Sequence, residues 1–445
     1  MQNETFLSAD GAVSLYREYA SDQPIVDYHN HLSPADLKEN RRYRDLYELW
    51  LQPDPYKHRA MRMAGIPERS ITGDASGEEK FFAWCSIFPD LIGNPLYQWS
   101  LAELSLFGIE ETPSKETAAS ILKRGNDFLS KNTVTPLWFL DRFRVEKICP
   151  CHRISDPVPE SGAGDRVVPS LRADEALLPE KDWIEAFGAS SLSEFLQAVK
   201  KKIEAFYRSG CRFADHALDD GFSYLPDDKK NEARFERILK GDALSKEDSA
   251  RLSSYLLTRY LNDYAEIGMV LQLHIGAKRD TSSRLRRLAG KAGGYAAAGN
   301  ECDLASLSAL FDAAERRGDL PKTILFPLNP ADNAKLATLS GSFARDGVKG
   351  LITLGPAWWW NDHRLGMRKA LEEIEANSLL SGFVGMTTDS RSFLSLVRHD
   401  AFRRVLCDYL AKERSDHALF CSRGDLGRLI RKMVYQNASD CFREV

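Results

Sequence analysis

Pro24-Ile25-Val26-Asp27-Tyr28-His29-Asn30-His31 is followed at once by Leu32-Ser33-Pro34. A short apolar run thus ends in a polar tip beside a turn. In a β-strand, residues two apart point to the same face. His29 and His31 can therefore reach one metal ion, and imidazole suits Zn, Cu, Fe or Ni. A polar strand end is the competing reading, and the pentapeptide alone leaves both open.

From Val145 onward the same kind of apolar, β-branched run recurs at residues 145–148, 166–171, 211–214, 269–273, 323–326, 351–354 and 383–386. Together with 25–28 these predict about eight strands, separated for the most part by amphipathic helical stretches such as 192–206 and 304–317. That alternation predicts an α/β fold, a distorted (β/α)8 TIM-like barrel. The alternative is a doubly wound open sheet, but no Gly-rich phosphate loop follows the first strand. The chain between His31 and Val145 is far longer than one helix needs, and it is rich in Trp, Tyr, Phe and Arg. The expected organisation has three parts. Residues 1–34 hold an amino-terminal helix and the first strand, 35–140 form an inserted helical lid, and 141–445 complete the barrel and add carboxy-terminal helices.

A net charge of -4 gives no reason to expect a nucleic-acid or membrane-surface partner. The first twenty residues lack the basic start and apolar core of a signal peptide, and no run of about 18 uncharged apolar residues exists to span a bilayer. The 8 cysteines are scattered, which suits free thiols in a reducing cytoplasm. Lys200-Lys201-Lys202 and Arg403-Arg404 read as solvated helix faces.

A barrel builds its active site at the carboxy-terminal ends of its strands. Five of the 9 histidines, His29, His31, His152, His216 and His274, fall at predicted strand ends. The other strands end at Cys149-Pro150-Cys151-His152, Arg172, Asp215-His216, Asn329, Trp358 to Asp362 and Thr387 to Arg391. His29 and His31 with Asp389 make a three-ligand site with open positions, although Asp389 also has the chemistry of a helix N-cap. Arg391 is a candidate for a carboxylate or an enediolate, and His274 for the pocket. Arg172 either clamps an anion or pairs with Asp174. Trp358 to Trp360 suit sugar stacking or core packing. Cys149-x-Cys151-His152 lacks a second pair at zinc-finger spacing, so an inert or supporting role is expected.

Asp27-Tyr28-His29-Asn30-His31-Leu32 resembles the opening motif of the uronate (glucuronate) isomerases, a family of the amidohydrolase superfamily. The stretches 93–99, 272–277, 358–362 and 383–393, then Arg398-His399 and Phe402-Arg403-Arg404, carry the resemblance along the chain. It implies aldose–ketose interconversion of hexuronates: D-glucuronate to D-fructuronate and D-galacturonate to D-tagaturonate. It also implies one divalent metal ion, zinc being expected, on His29, His31 and Asp389. Asp389, Arg391, Tyr56 and His274 would serve catalysis. Arg172, Asp215, His216, Arg284 and Trp358 would bind a small sugar acid. A cytoplasmic homo-oligomer is expected.

Three stretches depart from the family pattern. Pro55 stands where the family has histidine in Asp54-Pro55-Tyr56-Lys57-His58-Arg59, and His58 would share its helix face and substitute. Cys149 to Arg153 replace an acidic Thr-Thr-Asp-Asp-Pro stretch. The loop 290–295 lacks the usual acidic residues. Two other functions stay open on these grounds: a mononuclear hydrolase or lactonase of the same superfamily, and a sugar-acid binding protein without turnover.

Overall fold

Seven parallel strands carry the fold of the computed structural model, which describes residues 4–162 and 164–443. The strands are β1 (Ile25–Asn30), β2 (Val145–Arg153), β3 (Ser170–Arg172), β4 (Phe213–Leu218), β5 (Val270–Ile275), β6 (Ala277–Lys278), β7 (Ala297–Ala298), β8 (Thr323–Pro327) and β9 (Ile352–Leu354). The sheet order is β1-β2-β3-β4-β5-β8-β9, while β6 and β7 form a separate antiparallel pair. Helices cover the outer face. In Leu192–Arg208, for example, Leu192, Phe195, Val199, Ile203 and Phe206 recur at helical spacing and are buried. Ser191 starts that helix by accepting the Glu194 N–H.

The predicted eighth strand needs correction. Residues 383–386 join no β-ladder; they lie against β1 through irregular bonds. Tyr28 Oη donates to the Gly385 carbonyl (2.8 Å), and the His29 N–H donates to the Thr387 hydroxyl (2.9 Å). Backbone bonds then run from Asp389 N to His29 O (3.0 Å) and from His31 N to Ser390 O (2.8 Å). Gly385 at φ 110 and Asp389 at φ 47 bend this segment out of register, so a threonine side chain stands in for ladder bonds. The result is a distorted TIM-like barrel with one irregular wall.

Three other expectations change. β2 runs on to Arg153, so Cys149 to His152 lie within the strand rather than at the end of a run that stops at Ile148. β3 is only Ser170–Arg172, with an isolated bridge from Val167 to Ile148. Arg403 and Arg404 are buried, not solvated: Arg403 donates to the Pro24 carbonyl (2.7 Å) and Arg404 to Asp400 (2.8 Å). Their helix, Val397–Ser415, is enclosed on nearly every side, which the local charge pattern does not reveal.

The helices between β1 and β2 pack on their own apolar cluster. Trp50, Phe81, Trp84, Phe88 and Phe139 fill it, and it meets the barrel at Ile25, Ile148 and Phe393. Inside lies Lys57, 0% exposed, whose ammonium donates to Asp54 (2.9 Å) and Glu103 (2.8 Å). Asp54 also caps the helix Pro55–Met63 by accepting the N–H groups of Tyr56 and Lys57. Among the described residues, no helix is long and apolar enough to cross a membrane.

Candidate active site

β1 presents its polar end to the barrel mouth. His29 is buried there and His31 is partly exposed. Asp389 Oδ1 stands 3.3 Å from His29 Nε2 and 3.1 Å from His31 Nε2. Two ligands about 2.0 Å from one ion in a tetrahedron are themselves ~3.3 Å apart, so each His–Asp389 pair has ligand spacing, although the three donor atoms do not all lie within 4.8 Å of one another. Asp389 is not a helix cap; Ser392 caps the next turn by accepting the Leu394 N–H. The second carboxylate oxygen accepts the Trp358 indole N–H (2.6 Å), which leaves Oδ1 turned to the imidazoles.

Asp27 holds this geometry from beneath. It accepts from Thr388 N (2.7 Å), Thr388 Oγ1 (2.8 Å) and His399 Nε2 (3.3 Å). Burial pushes its carboxyl up, but His399 and Thr388 outweigh that and hold it below its ordinary value. Asp389 behaves alike: burial opposes ionisation, yet His29 and His31 hold its carboxyl well below the usual range. Burial would lower His29 too, but Cys151 and Asp389 raise it well above an ordinary histidine.

β2, β3 and β4 add a layer behind His29. Cys151 Sγ lies 3.6 Å from His29 Nδ1 and 3.5 Å from Asp215 Oδ1. Asp215 pairs with Arg172 (3.1 Å), its register partner across β3 and β4, and Arg172 also pairs with Asp174 (2.8 Å). His274 lies near the end of β5 with its ring 4.7 Å from His29 and 4.8 Å from Trp358, and among the described residues neither of its nitrogens has a hydrogen-bond partner. Burial first, then His29, keeps it neutral. Within each of two donor sets all the ligand atoms lie within 4.8 Å of one another: His29, His31 and Cys151, and His29, Asp215 and His274; Asp389 belongs to neither. The His274 nitrogens, without a hydrogen-bond partner among the described residues, are what a metal-and-ligand site leaves open in a protein interior.

The helix Pro55–Met63 closes one side of the mouth. The Tyr56 hydroxyl is buried without a hydrogen-bond partner among the described residues, and burial raises it far above an ordinary phenol. Its ring is flanked by the guanidinium groups of Arg59 (4.9 Å) and Arg398 (5.4 Å). Arg398 donates to Asp362, whose carboxyl burial pushes up to about 6 despite that partner. His58, the expected substitute for the family histidine, lies near Asp54, Arg62 and Glu68. Its ring is held at the Leu51 backbone, while Arg59 shares the Tyr56 face three residues on.

Several predicted residues are not brought in. His216 points to the outer face of β4, where its Nε2 bonds Tyr264 Oη (2.9 Å); the strand period that turns Asp215 inward turns His216 outward. Arg284 is exposed on the helix Ser283–Ala289 and, among the described residues, makes no bond to the cluster. Arg391 is exposed and has no ion pair among the described residues. His152 bonds the Pro150 carbonyl (2.9 Å), off the site. Asp27, Asp362 and Arg398 were not singled out from sequence, although the first belongs to the opening motif and the other two to matched stretches.

The family model for glucuronate isomerase matches residues 1–442. A curated uronate isomerase from Caldanaerobacter subterraneus subsp. tengcongensis is 38% identical, covering 99% of this chain and 98% of that one. The solved uronate isomerase from Thermotoga maritima superposes with a TM-score of 0.90 at 28% identity, over 100% of this chain and 99% of that one. The glucuronate isomerase structure from Caulobacter crescentus shares the fold, with a TM-score of 0.89 at 24% identity over 99% of this chain and 96% of that one. By sequence over its whole length and by fold, this chain belongs to the uronate isomerase family.

Proposed function

We propose that this enzyme interconverts hexuronate aldoses and ketoses, D-glucuronate with D-fructuronate and D-galacturonate with D-tagaturonate. The observation that carries the reading is Asp389 Oδ1 set between the His29 and His31 imidazoles at 3.3 and 3.1 Å. His29, His31 and Asp389 would hold one divalent ion, read as zinc, which when bound supplies a Lewis acid for sugar oxygens.

The reaction moves a proton from C2 to C1 through an enediol and a hydroxyl proton from O2 to O1, so nothing is gained or lost. Tyr56 keeps its proton because its phenol is buried, which suits it to exchange a proton with a sugar oxygen. Asp389 stays ionised and is the accepting partner. Neutral His274 offers an N–H to the developing oxyanion. Arg391, exposed and without an ion pair among the described residues, is assigned the substrate carboxylate. Arg172 is already paired with two carboxylates and acts through Asp215. Trp358 fixes Asp389 and lines the sugar pocket. His216 and Arg284 take no part in this reading.

Residues 35–140 are read as a lid carrying Tyr56 over the barrel, flanked by the parts 1–34 and 141–445. A cytoplasmic homo-oligomer belongs to the same reading and is checked by sedimentation of the purified chain. The function itself is tested by incubating the metal-loaded protein with hexuronates and their lactones in D2O and following products by NMR. Ketose formation is expected. Ring-opened acid from a lactone would instead make the chain a hydrolase, and binding without turnover would make it a binding protein.

A further inference from the structure

Cys151 is the chemically active residue that the isomerase reading leaves unused. It stands on β2, in the stretch where the chain departs from the family pattern, and it is wedged between two site residues. Its sulfur lies 3.6 Å from His29 Nδ1 and 3.5 Å from Asp215 Oδ1. A thiol has one proton to donate and a sulfur that accepts weakly. Asp215 pairs with Arg172 (3.1 Å), and a carboxylate oxygen accepts, so the S–H points to Asp215. The sulfur lone pairs are then left for His29, and Nδ1 must be the ring nitrogen that carries hydrogen. That assignment follows from the network, as tautomers must. In the neutral ring this puts the Nε2 lone pair on the side of Asp389 and His31.

We propose that Cys151 is the outer hydrogen-bond partner of the metal ligand His29, a positioning residue that sets its tautomer and ring orientation on behalf of Asp215. The proposal rests on the metal-site reading above. A ligating histidine ordinarily gives its second N–H directly to a carboxylate or carbonyl, which fixes the ring and raises its basicity. Here Asp215 stands 4.0 Å from His29 Nδ1, beyond hydrogen-bond range, and the thiol fills the gap. The series Asp174, Arg172, Asp215, Cys151, His29 then runs across four neighbouring strands to the metal position.

Direct ligation by the sulfur is the rival arrangement, because Cys151 also lies within 4.8 Å of His31 donor atoms. The sulfur faces Nδ1, however, and Asp389 faces Nε2. The two roles give different spectra. A sulfur ligand on cobalt(II) produces an intense near-ultraviolet charge-transfer band, whereas an outer partner produces none.

The test measures metal affinity by chelator competition in the full chain and in the variants Cys151→Ala and Cys151→Ser, with the thermal melt of each metal-free protein as a control on folding. Removing an outer partner weakens metal binding by roughly 10- to 100-fold. Cys151→Ala is expected to show that loss, Cys151→Ser to recover most of it because a hydroxyl also donates and accepts, and cobalt-loaded wild type to lack the thiolate band. Wild-type affinity in Cys151→Ala would overturn the proposal. So would equal losses in both variants, which would make the sulfur a space-filler, or a thiolate band, which would make it a ligand. Full metal uptake by His29→Ala would overturn the underlying metal-site reading, and the proposal with it.

Discussion

His29→Ala and Asp389→Asn are each expected to lose bound metal and to lower turnover by several orders of magnitude. Each removes one corner of the triangle in which Asp389 Oδ1 lies 3.3 and 3.1 Å from two imidazole nitrogens. The remaining two ligands cannot complete a three-donor site with an open position. Both variants should keep their fold. His29→Ala removes a buried ring that Cys151 and His274 line, but the β1 backbone bonds to 387–390 do not depend on it. Asp389→Asn keeps the acceptor for the Trp358 indole. Metal uptake by the wild type should also fall with falling pH. His29 holds its proton above the ordinary histidine range, and that proton must leave before Nε2 can bind. Elemental analysis of the purified variants checks the first claim; full occupancy in both would remove the ligand assignment.

Lys57→Met should destabilise the enzyme by about 3–5 kcal/mol, the usual cost of stripping one partner from a buried ion pair. Lys57 is fully buried, and its ammonium is shared by Asp54 and Glu103. Those carboxyls respond differently: for Asp54 the attraction of Lys57 outweighs burial and holds it low, whereas for Glu103 burial wins and pushes it up. Glu103 also accepts the Trp50 indole N–H (2.6 Å), tying the triad to the aromatic cluster. Because Asp54 caps the helix that carries Tyr56, loss of the lysine should disturb activity as well as stability. Denaturant unfolding measures the loss. The double variant Lys57→Met/Glu103→Gln should recover part of it, since one of the two stranded carboxylates is gone and the Trp50 acceptor is kept. An unchanged midpoint in Lys57→Met would show that the triad contributes nothing.

Strands with strong apolar patterns were legible from sequence: β1, β4, β5, β8 and β9 form within a few residues of where their runs predict. β2 extends further because Pro150 reads as a breaker, yet the chain stays extended through it to Arg153. The β6–β7 pair carries only Ala and Lys, which hold no strand signal. Residues 383–386 have the composition of a strand, but the Gly385 backbone and Thr387 hydroxyl give them another way to satisfy β1.

The candidate site was legible where an apolar run stops at polar or aromatic residues, whether on a strand or just beyond one. His29, His31, Asp389, His274, Trp358 and Asp215 are brought together. His216 is turned outward by the period that turns Asp215 in, and Arg284 lies on a helix whose direction no local pattern gives. Asp27, Arg398 and Asp362 act through partners hundreds or tens of residues away, and a buried pairing of that kind leaves no spacing to read.

The most direct test of the account is metal removal and stepwise return with D-glucuronate as substrate and ketose formation followed by NMR. The chelated protein is expected to make no ketose, and activity to return in proportion to added zinc, reaching its plateau at one ion per chain. Full activity after verified metal removal, or a plateau only at two ions per chain, would contradict it.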